Sequence, residues 1–293
     1  RNSMKAYVFP GQGSQKPGMG QELFNDIKDS RVLFKKANEV MNFNITELMF
    51  EGSSEELLQT KVTQPAIFIY SVISALTSNT FKPDLCAGHS LGEFSALVAS
   101  KSISFEDGLK LVSIRANAMQ QACQETEGTM AAIIGLSDDI VESICNEIDG
   151  IVKPANYNCP GQIVISGEFN SVEKACESLK EKGARRALIL PVSGAFHSDL
   201  MKPASNELKK GIDDIDFKKP HCPIYQNFTA SAATDPLVIQ ANLLNQLTGP
   251  VLWAQSINNM IEDGVKEFIE VGPGNILQGL IKKIDGDVVV NKI

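Results

Sequence analysis

The sequence predicts an α/β protein in two parts: a larger parallel-sheet domain assembled from both ends of the chain, and a smaller βαββαβ unit inserted between them. Two observations carry this expectation. Short apolar strands alternate with helical stretches over residues 4–126 and again over 195–293, the pattern of a sheet covered by helices. Residues 127–194 instead read strand, helix, strand, strand, helix, strand, which is the order of a self-contained ferredoxin-like unit.

Taken in order, Lys5-Ala6-Tyr7-Val8-Phe9 is a short strand stopped by Pro10, and the glycine-rich stretch from Gly11 to Gly18 is loop. Helical patterns run to about residue 80. Asp84-Leu85-Cys86-Ala87 is a second apolar strand between Pro83 and Gly88, and residues 91–100 have helical composition, so strand, sharp turn and helix follow one another. Ser104 caps the next helix, with Glu106 and Asp107 in its first turn, and the pattern lasts to about Cys123. In the inserted unit, strands are expected at 130–134, 151–156, 162–166 and 186–191, with helices at 137–148 and 171–182. Beyond it come a helix from about Asp199, a strand at 223–226, two helices between 236 and 263, and a strand at 267–271 before Gly272-Pro273-Gly274. The cleft between the two parts is the expected site.

Composition narrows the function. With 43% hydrophobic and 21% charged residues the 293-residue chain is that of an ordinary globular protein, and no run of ~18 apolar residues is present to span a bilayer. A formal charge of -8 argues against nucleic-acid binding and requires a local basic patch for any acidic partner. The six cysteines form no Cys-x-x-Cys pair and no cluster with histidine, so no metal site is expected. We expect a soluble monomer of the cytoplasm, or of an organelle had a presequence been removed, with Met4 as a natural start after Arg1-Asn2-Ser3.

Gly88-His89-Ser90-Leu91-Gly92 fits a nucleophile elbow, because glycines sit where side chains would clash and the serine is left at a helix N-terminus. A serine nucleophile needs a base, and the chain contains three histidines. His89 precedes the serine and should point away from it, and His221 lies in a proline-bounded strand start. His197 stands where the chain leaves the inserted unit, facing the expected cleft. Arg115 has Leu111, Val112, Ala118 and Met119 as its helical neighbours, so its guanidinium must snorkel outward, form a structural salt bridge or meet an anion.

Phe9-Pro10-Gly11-Gln12-Gly13-Ser14-Gln15, Gly88-His89-Ser90-Leu91-Gly92-Glu93, Gly194-Ala195-Phe196-His197-Ser198 and Val271-Gly272-Pro273-Gly274, in this order along the chain, resemble the malonyl-CoA:acyl carrier protein transacylases. The resemblance implies an α/β-hydrolase-like larger domain, a Ser90–His197 pair, and a backbone carbonyl of Gln246 in place of a carboxylate. It also implies backbone N–H groups of Gln12 and Leu91 as the oxyanion donors, and Arg115 as the residue that binds a malonyl carboxylate. Met119, Phe196 and Asn158 complete the expected substrate contacts, with Phe196 crowding a branched acyl group.

The implied reaction moves a malonyl group from malonyl-CoA to an acyl carrier protein by way of the serine, with no cofactor, since the CoA thioester is itself a substrate. Lys282-Lys283 and Arg185-Arg186 are the candidate docking residues for an acidic carrier. The readings set against this are an acyltransferase of polyketide synthesis, a serine hydrolase or thioesterase, and a non-catalytic CoA-binding module.

Overall fold

A computed structural model describes residues 3–293, so Arg1 and Asn2 and the reading of the start that involves them lie outside it. The elements are, in chain order, β1 (Met4–Phe9), α1 (Gln21–Asp26), α2 (Ser30–Met41), α3 (Ile45–Glu51), α4 (Ser54–Leu57), α5 (Thr60–Thr77), β2 (Leu85–Gly88), α6 (Gly92–Ala99) and α7 (Phe105–Glu125). There follow β3 (Gly128–Ile134), α8 (Asp138–Glu147), β4 (Val152–Cys159), β5 (Gln162–Glu168), α9 (Phe169–Glu181) and β6 (Arg186–Ile189). The last third holds α10 (Ser205–Asp213), β7 (Ile224–Gln226), β8 (Ser231–Ala233), α11 (Pro236–Asn245), α12 (Trp253–Glu262), β9 (Val265–Glu270), α13 (Ile276–Ile284) and β10 (Val289–Lys292).

Six strands form one sheet in the order β10-β9-β1-β2-β7-β8, parallel throughout except for the β7–β8 edge pair. Alternation along the strands feeds two cores. Tyr7, Phe9 and Cys86 face the helices α5, α6 and α7, while Ala6, Val8, Leu85 and Ala87 face α12 and α13. The second sheet is antiparallel, in the order β4-β5-β3-β6, with α8 and α9 closing a separate core around Ile133, Val141, Ile165 and Leu179. This strand order completes the ferredoxin-like arrangement.

Three details depart from the sequence reading. The helix expected from Asp199 opens as a 3-10 turn over Asp199–Ala204, because Pro203 has no N–H to give an α-helical bond. β8 and β10 go beyond the strands expected from the sequence; both are short edge strands, and β10 is mostly exposed. The β4 strand runs on to Cys159, into the Asn158-Cys159-Pro160-Gly161 segment that the sequence assigns to the turn before β5.

The fold gathers its loops at one edge. The glycine-rich loop, the Ser90 elbow, Asn227 and Gly272-Pro273-Gly274 all follow the carboxyl ends of β1, β2, β7 and β9, the side on which open parallel sheets bind ligands. Among the described residues, no helix is long and apolar enough to cross a membrane.

Candidate active site

The turn from β2 to α6 holds Ser90 at φ 53°, in the left-handed region that a non-glycine residue adopts at a cost. Both flanking glycines are obligatory. A Cβ at Gly88 would stand 1.9 Å from the Gly92 carbonyl carbon, and one at Gly92 would stand 2.0 Å from the Phe9 oxygen.

Ser90 Oγ lies 2.8 Å from His197 Nε2, and His197 Nδ1 lies 2.8 Å from the Gln246 backbone oxygen. A carbonyl can only accept, so Nδ1 carries the proton and Nε2 turns its lone pair to the serine. Burial first, and then the Arg115 charge, lower the His197 pKa to about 3, which keeps the ring in the neutral form a general base needs. His197 is itself left-handed, at φ 58°. His89 turns away as expected, its Nε2 lying 2.8 Å from Asn158 Oδ1 and its ring packed near Trp253. His221 is exposed, and its N–H donates to the Ser100 oxygen.

The Ser90 N–H donates to Asn227 Oδ1 at 2.7 Å, so it is not available to a developing oxyanion. Among the described residues, the N–H groups of Leu91 and Gln12 make no hydrogen bond. Gly11 brings the Gln12 loop onto the elbow so closely that a Cβ there would lie 2.5 Å from the His89 oxygen and 3.6 Å from Leu91 N. Two free backbone donors thus flank Ser90, which is the arrangement an oxyanion requires.

Arg115 is 1% exposed and lies directly behind the serine. Its guanidinium donates to Gln64 Oε1 at 2.7 Å, to Gln246 Oε1 at 2.9 Å and to Ser90 Oγ at 3.3 Å, and it stands over the Phe94 ring at 5.2 Å. All of these partners are neutral. Among the described residues no carboxylate forms an ion pair with it, and its Nε has no partner, so the structural salt bridge is not what Arg115 makes. Burial lowers its pKa to about 10, against an upward pull from Glu93, which leaves it cationic at neutral pH. A buried, hydrogen-bonded but unneutralised cation beside a nucleophile is a place for the anionic end of a substrate.

A cleft of about 840 Å³ opens in front of Ser90. Its walls include Gln12, Gln59, Thr60 and Gln120 from the larger part, Met130 and Asn156 from the antiparallel sheet, and Phe196 and His197 from the strap that joins them. Phe196 is where the sequence placed it. Met119 is buried behind the wall, its Sδ accepting from Gln64 Nε2 at 3.3 Å. Asn158 is a correction: its Oδ1 lies 2.8 Å from His89 Nε2 and it is not among the cleft walls, because the register of β4 shifts between Tyr157 and Cys159 and breaks the alternation that would otherwise put it on the same face as Asn156.

The basic candidates lie away from the cleft walls. Lys282 donates to the Gly286 and Val288 oxygens and so closes the turn after α13, while the Lys283 charge acts on Cys159. Arg185 packs against Gly135, whose N–H donates to the Gly161 oxygen in the β4–β5 turn. The sequence reading missed Gln64, Asn227 and the role of Glu93. Gln64 carried a signal, a polar side chain within the apolar run of α5; Asn227 carried none beyond its place after a strand.

Comparison with known proteins shows the family. The acyl transferase domain family matches residues 6–286. The malonyl CoA-acyl carrier protein transacylase of Bacillus subtilis (strain 168) is 44% identical over 285 residues, covering 96% of this chain and 90% of that protein. The transacylase structure from Coxiella burnetii superposes with a TM-score of 0.96 at 38% identity, covering 99% of this chain and 93% of that one. A malonyl-transacylase solved with its type II polyketide acyl-carrier protein gives 0.96 at 38% identity, with 99% and 96% covered. With a serine elbow, a histidine oriented by a carbonyl and an unneutralised arginine on a matching fold, this chain belongs to the malonyl CoA-acyl carrier protein transacylase family of acyl transferases.

Proposed function

We propose that this protein transfers the malonyl group from malonyl-CoA to the phosphopantetheine thiol of an acyl carrier protein through a malonyl-Ser90 intermediate, supplying fatty acid synthesis. The observation that carries the reading is Arg115, a buried cation with neutral partners whose guanidinium reaches Ser90 Oγ at 3.3 Å. A planar fork of N–H donors at that distance suits the free carboxylate of a malonyl group whose thioester carbon is under attack.

The chemistry follows from the hydrogen bonds. His197 Nε2 takes the proton as Ser90 Oγ attacks the thioester carbon, the oxyanion is held by the Gln12 and Leu91 N–H groups, and CoA leaves with the proton from His197. The carrier's thiol then gives its proton to His197, attacks the malonyl ester, and Ser90 Oγ recovers the proton as it leaves. The residues and the thioester supply every group these steps use, so the reading calls for no cofactor. Phe196 at the cleft wall disfavours a branched acyl group, so malonyl is preferred to methylmalonyl. Lys282-Lys283 and Arg185-Arg186 are the proposed docking residues for the acidic carrier.

Incubation with malonyl-CoA followed by intact and peptide mass spectrometry tests the intermediate: a malonyl adduct on Ser90 that disappears on adding holo carrier supports it. No adduct, or free malonate released equally with and without carrier, would sink it in favour of a hydrolase. Arg115→Ala should lower malonyl transfer by about 10- to 150-fold, the equivalent of a charged hydrogen bond of ~1.5–3 kcal/mol, and leave acetyl transfer unharmed. A polyketide carrier is the second reading, favoured by the relative solved with one. Comparing transfer rates to fatty acid and polyketide carriers decides between them.

A further inference from the structure

We propose that Asn227 and Glu93 are positioning residues that hold the nucleophile's elbow in its working shape, Asn227 gripping the backbone on both sides of Ser90 and Glu93 locking Asn227 from behind. Asn227 follows the end of β7 and is fully buried. Its Oδ1 accepts the Ser90 N–H at 2.7 Å and its Nδ2 donates to the Gly88 oxygen at 2.7 Å, so one amide spans the strained turn. Its own backbone N–H donates to Glu93 Oε1 at 2.7 Å, and Gln226 Nε2 donates to Glu93 Oε2 at 3.3 Å. Glu93, also fully buried, stands in the first turn of α6, immediately after the elbow.

A carboxyl group taken wholly out of water is costly, and no step of the reaction uses this one. It forms no ion pair among the described residues; the Asn227 N–H and Gln226 Nε2 donate to it, the Gln246 side chain also reaches it, and the Arg115 charge acts on it from farther off. What it does in return is fix the one amide that makes the φ of 53° at Ser90 tenable. The grip also assigns the donors: with the Ser90 N–H held by Asn227, the oxyanion is left to Leu91 and Gln12. Gln246 joins the grip to the substrate end, since its Nε2 donates to the Ser90 oxygen at 3.0 Å and to Asn227 Oδ1 at 3.3 Å while its Oε1 accepts from Arg115.

The inference rests on Ser90 as the acylated residue, and two probes keep its failure separate from that of the malonyl reading. The first is the rate of Ser90 malonylation at saturating malonyl-CoA. The second is the rate of labelling by a fluorophosphonate, in which Ser90 Oγ attacks phosphorus, fluoride leaves and His197 takes the proton, whatever acyl group the enzyme prefers. Asn227→Ala and Glu93→Ala should each slow both reactions about 10- to 100-fold, the scale of a misplaced reacting group, with KM for malonyl-CoA within about threefold of the parent. Glu93→Gln keeps an acceptor for the Asn227 N–H and should fall between Glu93→Ala and the parent. The double variant Asn227→Ala/Glu93→Ala should be no slower than the slower single, as for two parts of one device.

Asn227→Ala reacting at the parent rate with both probes would overturn the proposal, as would losses that multiply in the double variant or that appear wholly in KM. Should Asn227→Ala fail to fold by circular dichroism, Asn227→Asp, which keeps the acceptor and loses the donor to Gly88, is read by the same limits. A parent enzyme labelled by the phosphonate but not by malonyl-CoA would refute the proposed function, and the phosphonate rates would still judge the grip.

Discussion

The role of base proposed for His197 rests on where the ring is held. Enclosed between the strap and Gln246, with the Arg115 cation close by, its imidazole resists protonation far below the ordinary value, its pKa lowered to about 3. The fraction of neutral base therefore does not fall as pH passes 6.5, and the acid limb of kcat/KM for malonyl transfer should lie well below that pH. Removing the Arg115 charge removes the second largest cause, after burial, so Arg115→Ala should move the limb upward. A pH-rate profile with acetyl-CoA as donor measures this, and a limb that stays in place would show that the Arg115 charge does not set the base. Ser90→Ala should abolish the acyl adduct and lower kcat by at least about 10³-fold, since a missing nucleophile cannot be replaced by its base.

At the scale of elements, the reaction centre is the edge of a parallel sheet, and its precision comes from three backbones passing within van der Waals distance. α6 starts against the end of β1, and the Gln12 loop leans on the elbow through Gly11. Adding one methyl group at Gly92 would press it to 2.0 Å from the Phe9 oxygen, a contact that only a shift of β1 or α6 relieves. Gly92→Ala should cost about 1–3 kcal/mol of unfolding free energy, as overpacking typically does, and slow acylation because Leu91 and Ser90 move with the helix. Urea unfolding beside an acylation time course checks both. The elbow was legible in the sequence for this reason: glycines at fixed spacing between an apolar run and a helical one are a steric requirement written in residue types. Gln246 was not, because a side chain on a helix says nothing of where its backbone oxygen will be aimed.

In the whole molecule, the inserted unit is tied to the catalytic part next to the residue that orients the base. The Tyr157 N–H donates to the Val251 oxygen at 2.9 Å and the Val251 N–H to the Ala155 oxygen at 2.7 Å, so β4 is pinned to the segment that follows Gln246. Stability should carry the signature of the buried site. Burial raises the Glu93 pKa to about 7 from 4.5, so between those values the folded state holds a proton that the unfolded chain has released, and stability falls as pH rises through that window. His197 acts oppositely. Its lowered pKa makes the unfolded chain the better proton acceptor below 6.5, and stability falls as pH drops from there toward about 3. Thermal melts across pH 4.5 to 7 should show a flatter profile for Glu93→Gln than for the parent on the alkaline side of this range, and an unchanged profile would remove Glu93 as a titrating group.

The amino-acid sequence by itself determined the two-part α/β architecture, because apolar periodicity and glycine punctuation act over a few neighbouring residues. It also singled out Ser90, since the elbow is local, and His197, since so few histidines compete with it. Arg115 was legible as a problem, a charge on an apolar face, but not as an answer: whether a carboxylate met it depended on residues far away in the chain. Only the tertiary structure decided that its partners are neutral and that Asn158 turns to His89. It also disclosed the Asn227 and Glu93 grip on the serine turn. These are contacts between residues far apart in the chain, several of them more than a hundred residues apart, and such contacts exist only once the sheet has brought its strand ends to one edge.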